Sequence, residues 1–196
     1  MKTLARLTCI VAIVFLSACT GPSSTRHVSL DDGEPRIARS STTPSVAVVS
    51  AKVPELVDRP QLVFRTDSDQ VVFSEQYRWA DPLRREITRV IASDLGGLLD
   101  SSGVEALPGD VGIDDVDFTL SLDFQQLDAI VGEGADVDVF WCLKHRGGRI
   151  FIGHSSFRQP LVRTANDYAA LITAQRKALR HVAAEIAMKI AVYQER

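Results

Sequence analysis

From Val116 to Phe124 apolar and polar residues alternate without a break. Val116, Phe118, Leu120, Leu122 and Phe124 fall on one side, Asp117, Thr119, Ser121 and Asp123 on the other. Side chains on a strand point alternately to two faces, so this stretch is a strand with one buried and one wet face. Such a strand needs hydrogen-bonded neighbours, and its apolar side needs a second layer to cover it. Neighbours are legible nearby. Asp136 to His145 alternates again, with Val137, Val139, Trp141 and Leu143 on one face. Arg146-Gly147-Gly148-Arg149 is a tight hairpin signal, and Ile150 to Phe157 returns. Upstream, Val46–Lys52 is β-rich and Val104–Leu107 reads as a short strand. Pro60 lacks an N–H and suits the start of the strand Gln61–Arg65. Thr66–Asp69 reads as a turn, with Gln70–Ser74 as the return strand.

The covering layer reads as two helices. Asp81 is expected to cap the first, with Pro82 at its first position. Leu83, Ile87, Val90, Ile91, Leu95 and Leu98 make one stripe at helical spacing, and Gly96-Gly97 weakens the last turns. Asn166 or Asp167 is expected to cap the second helix. Its stripe runs through Tyr168, Leu171, Ile172, Gln175, Leu179, Val182, Ile186 and Ile190. The fold class expected is α+β, a mainly antiparallel sheet with two helices packed on one face, forming a single domain over residues 46–196.

The N-terminus carries a different signal. Lys2 and Arg6 precede an apolar run, Leu7 to Leu16, and the small residues Ser17 and Ala18 precede Cys19. Charge, short apolar core and small residues make a secretory leader over residues 1–18. The run from Leu7 to Ala18 is shorter than the ~20 residues a bilayer-spanning helix needs. Leu16-Ser17-Ala18-Cys19 resembles a bacterial lipobox, which implies cleavage before Cys19 and lipidation of its sulfur. Residues 19–45, rich in Ser, Thr and Pro, read as the lipidated cysteine and a flexible tether. Within them Arg26–Leu30 is a candidate short strand. If that strand forms, the tether spans at most about 20 Å; if not, it reaches about 85 Å, both at ~3.3 Å per residue. Loss of the leader leaves 20 basic against 25 acidic residues, a formal charge of −5. That balance argues against nucleic-acid binding. Of the three cysteines only Cys142 lies in the body of the chain, which leaves no internal disulfide to form.

The residues assemble no catalytic set. Gly153-His154-Ser155-Ser156-Phe157 approaches a nucleophile elbow, but Phe157 stands where the second Gly is needed and the run sits in a strand. A hydrolase built on Ser155 and His154 is therefore the weakest reading. Asp110, Asp114, Asp115 and Asp117 do not match the calcium loop. His181 and Glu185 sit four apart on a helix without further ligands, and no cofactor or metal is expected.

Two further stretches carry a family resemblance. Val53-Pro54-Glu55-Leu56-Val57-Asp58-Arg59-Pro60-Gln61-Leu62-Val63, followed by Trp79-Ala80-Asp81-Pro82-Leu83, resembles the PqiC (YmbA) family of lipoprotein subunits of MCE-type ABC transport systems. Tyr168 near the start of the last helix fits as well, and the resemblance covers roughly residues 46–192. It departs at His27-Val28-Ser29-Leu30, where relatives often carry Tyr-Tyr-x-Leu. The resemblance implies an auxiliary, non-catalytic lipoprotein on the periplasmic face of the outer membrane. It implies docking to an MCE-domain protein of an inner-membrane lipid transport system, and a homo-oligomeric ring by analogy with that partner. Thr20, rather than an Asp, after Cys19 agrees with the outer membrane. The motif residues Asp58, Arg59, Pro60, Trp79 and Pro82 are expected to be structural, with Trp79 packed beside the first helix. The alternative reading is a stand-alone periplasmic lipid- or ligand-binding lipoprotein with an apolar cavity between helices and sheet.

Overall fold

The computed structural model describes residues 24–31, 33, 40–66, 70–107, 115–161 and 168–194. Cys19, the Asp67–Asp69 part of the expected turn and the Asn166/Asp167 cap lie outside them. Eight strands form one sheet: β1 (Arg26–Val28), β2 (Val46–Lys52), β3 (Gln61–Arg65), β4 (Val71–Trp79), β5 (Val104–Ala106), β6 (Phe118–Ile130), β7 (Gly134–His145) and β8 (Ile150–Pro160). Two helices, α1 (Leu83–Leu98) and α2 (Tyr168–Gln194), complete the described architecture.

The alternating segment is the spine. β6 pairs along its length with β7 on one side. On its other side it pairs with β2 at its start and touches β3 at Ile130. The sheet thus branches beyond β6, into β2–β5 at one end and β3–β4–β1 at the other. A bulge between Phe124 and Gln126 adds one residue. It keeps Phe124, Leu127 and Ala129 all on the buried face, which strict alternation could not do. A second irregularity, between Val48 and Ser50, does the same for Val48 and Ala51.

The sheet is mixed, which corrects the expectation of a mainly antiparallel one. β3–β4, β6–β7 and β7–β8 are antiparallel, whereas β1–β4, β2–β5, β2–β6 and β3–β6 are parallel. Alternation reports a wet face, not a strand direction, and the parallel pairs join strands far apart in sequence.

Phe118, Leu120 and Leu122 of β6 and Val137, Val139 and Leu143 of β7 share one core with Ile87, Ile91 and Leu95 of α1 and Leu179, Val182 and Ile186 of α2. The helices touch each other. Between them Arg176 of α2 forks onto both carboxylate oxygens of Asp94 of α1, in a mostly buried pair. The opposite face of β7 and β8 stays open, and Phe140 and Ile152 are 47% and 77% exposed there.

Within residues 19–45 the candidate strand at Arg26–Leu30 forms as β1 over Arg26–Val28. Arg26, His27 and Val28 pair with Tyr77, Arg78 and Trp79, Leu30 is buried, and Ser41 bridges to Ser101. Sequence periodicity is silent here because β1 has only three residues, too few for a pattern.

Candidate functional site

The five motif residues Asp58, Arg59, Pro60, Trp79 and Pro82 come together around one cleft of about 270 Å³. Three chain segments meet there. The first is the turn that leads into β3. The Val57 and Asp58 N–H groups donate to the Pro54 carbonyl, at 3.0 and 3.2 Å. Pro60 then sits just before β3, where its missing N–H costs no ladder bond, while its carbonyl accepts from the Trp79 N–H at 2.8 Å. The second segment is the end of β4. Trp79 is 6% exposed and belongs to the same core cluster as Leu83 of α1. The third is the start of α1.

That start differs from the sequence expectation. Pro82, with φ −51° and ψ 129°, occupies the capping position, and no side chain caps the helix. The Pro82 carbonyl accepts from the N–H groups of Arg85 and Glu86, at 2.8 and 3.1 Å. Asp81 instead turns its two oxygens to Arg85 (3.2 Å) and Arg89 (2.9 Å). Asp58 pairs with Arg84 of the same helix. The arginine-bearing first turns of α1 offer these carboxylates charge partners that compete with backbone capping. Arg59 lays its guanidinium 4.2 Å over the Phe73 ring, and its Nε is buried with no hydrogen-bond partner among the described residues.

The cleft also receives β1. The Ala80 N–H donates to the Val28 carbonyl at 2.8 Å. One turn along α1, Glu86 is 2% exposed and closes the latch. Its Oε2 accepts from the Ser29 hydroxyl (2.7 Å) and the Leu30 N–H (3.0 Å), and its Oε1 from Arg89 (2.9 Å). A buried carboxylate needs such donors, since an unpaired one would be strongly disfavoured. Sequence reading missed Glu86. An acid in a helix first turn, three residues before an Arg, looks like an exposed dipole-complementing residue.

The other candidate residues are dispersed. His154 and Ser155 are adjacent on β8 and point to opposite faces. His154 Nε2 meets Asp138 at 2.9 Å on the open face. Ser155 is buried, accepts from Trp141 Nε1 at 3.1 Å and donates to Glu185. They therefore form no dyad. His181 and Glu185 approach to 3.5 Å, and His181 stacks on Phe157. Among the described residues no group of three or more His, Cys, Asp or Glu side chains is placed to hold a metal ion. Asp110 and Asp114 lie outside them. Asp117 serves the fold. Its Oδ2 accepts from the Ser45 N–H (2.9 Å) and hydroxyl (3.0 Å), and Arg146 lies 3.4 Å away. The backbone bond to Ser45 holds its pKa below the usual carboxylate value. Burial opposes that shift, while the Ser45 hydroxyl, Arg146 and His145 add to it. Cys142 is a half-buried free thiol.

The fold is found in solved structures. The crystal structure of an uncharacterized protein matches with a TM-score of 0.62 at 18% identity, covering 85% of this chain and 99% of its own. Protein XCC0632 from Xanthomonas campestris matches with a TM-score of 0.56 at 18% identity, over 88% of this chain and 94% of its own. At these identities the likeness is one of fold. The chain matches no curated protein by sequence. A family model described as the ABC-type transport auxiliary lipoprotein component matches residues 29–187, a span that takes in the Glu86 latch and every residue of the motif cleft. The chain therefore belongs to the PqiC-type family of ABC-type transport auxiliary lipoproteins.

Proposed function

We propose that this protein is an outer-membrane lipoprotein, anchored through Cys19 at the periplasmic face. In this reading it docks an MCE-domain protein of an ABC-type lipid transport system, supports membrane integrity and catalyses no reaction itself. The observation that carries the reading is the way β1 is built into the domain. Arg26 follows Cys19 by seven residues, and β1 and its continuation are fixed by the pairing to β4 and by Glu86. A lipid on Cys19 would then hold the folded domain within about 24 Å of the bilayer, from the extended length of the chain. A short link suits a platform that receives a partner close to the membrane. The exposed Phe140, Ile150 and Ile152 on the open sheet face provide apolar area for a homo-oligomeric ring or for that partner.

The experiment is co-purification of the lipidated protein, in mild detergent, with an MCE-domain protein from the same cells. Recovery of the pair, lost when Cys19→Ser prevents lipidation, is the expected result. Absence of any such complex, together with a monomeric mass at high concentration, would remove the docking reading.

A further inference from the structure

The chain is acidic overall, yet one cleft is cationic. It is open, measures about 510 Å³, and lies between the segment after β1 and the first half of α2. Val28, Leu30 and Ile172 form its apolar wall, and Lys177 and Arg180 its rim. Neither cation makes a hydrogen bond or ion pair with a described residue. Arg65, Arg84, Arg89 and Arg158 each hold a carboxylate, while Arg59 and Arg149 lie over aromatic rings. Arg176 also lines the cleft and is engaged with Asp94. Asp31, the one acid among the described lining residues, accepts the Gly33 N–H at 3.0 Å.

Unpaired cations beside an apolar wall match a ligand with an anionic head and an apolar body. A lysine offers three donors and an arginine a planar fork, the combination that suits a phosphate. The volume falls within the range of roughly 300–1,000 Å³ usual for small-molecule sites. Val28 stands nine residues after Cys19, so this wall lies within about 30 Å of that cysteine along an extended chain. We propose that the cleft binds a phosphate-headed amphiphile, with the head on Lys177 and Arg180 and the chain along Val28 and Ile172. This site is independent of the docking reading, and either can fail without the other.

The test is equilibrium dialysis of the lipidated, full mature chain in uncharged detergent. Three radiolabelled probes are compared: dioctanoyl phosphatidic acid, dioctanoylglycerol and inorganic phosphate. Phosphatidic acid is expected to bind at least tenfold tighter than either of the others. Lys177→Gln/Arg180→Gln is expected to weaken it tenfold or more with no change in thermal melting, since both residues are on the surface. Ile172→Asn should weaken it as well, and the distant pair Lys52→Gln/Lys144→Gln should leave it unchanged. Undiminished binding by Lys177→Gln/Arg180→Gln, or no binding at all, overturns the site. Inorganic phosphate binding as tightly as phosphatidic acid, or dioctanoylglycerol doing so, overturns the amphiphile.

Discussion

Gly153 shows how much a single missing side chain can decide. It pairs across the strands with Trp141, and a Cβ placed on it would lie 1.9 Å from the indole Cζ2. The ring therefore lies over the β8 backbone and reaches Ser155 with its Nε1. The Gly-His-Ser run that resembles a nucleophile elbow is accounted for by this packing. Gly153→Ala is expected to destabilise the domain by about 1–3 kcal/mol, the usual cost of overpacking a tight site. Urea unfolding measures it, and adding Trp141→Leu should recover part of the loss. Asp117 gives a second expectation at this scale. Its folded pKa is lowered, so its contribution is fully present above the unfolded value near ~3.9 and is lost as pH falls through the folded one. The stability gap between the native chain and Asp117→Asn should stay constant above about pH 5 and shrink toward acid. A gap that grows in acid would contradict the sign of the shift.

β1 pairs with one strand, β4, over three residues, and Glu86 holds the chain that follows it. Glu86→Ala removes the acceptor for both the Ser29 hydroxyl and the Leu30 N–H, for a loss of about 1–3 kcal/mol. Hydrogen exchange locates the effect: amides of residues 26–31 should exchange faster while those of Leu179 to Ile190 keep their protection. Uniform loss of protection would mean that Glu86 supports the whole core instead. This latch also marks the limit of what the chain reveals by pattern alone. Periodicity is local, and it located β6, β7, α1 and α2, with Leu83, Ile87, Val90, Ile91 and Leu95 buried as their spacing demands. It misplaced only the stripe's end, where Leu98 in the last turn is 46% exposed. Strand direction, the two bulges and the β1–β4 pairing depend on contacts between distant segments, which no local pattern encodes. The motif cleft was legible as a set of residues through family resemblance. Its charge pairing was not, because Asp81 satisfies the rule for a helix cap and is drawn to Arg85 and Arg89 instead.

For the whole molecule, the distance between lipid and domain is the quantity that separates a platform from a leash. With β1 in place, the chain from Cys19 to Arg26 reaches at most about 24 Å. Lengthening it changes no contact of the domain but spreads the domain over a larger volume. The effective concentration of a tethered site falls roughly as the −3/2 power of linker length. Inserting twenty Gly/Ser residues between Ser24 and Thr25 extends the link from seven residues to twenty-seven, so capture of the proposed partner should fall about eightfold. Thermal melting of the domain should be unaltered, which separates this loss from misfolding. Glu86→Ala, which loosens β1, should give a smaller loss by itself and add little to the insertion, since both act by lengthening the same link. In-cell crosslinking to the proposed MCE-domain partner reads all three variants. Equal crosslinking with and without the insertion would mean that the height of the domain does not matter. The latch at Glu86 would then serve stability alone.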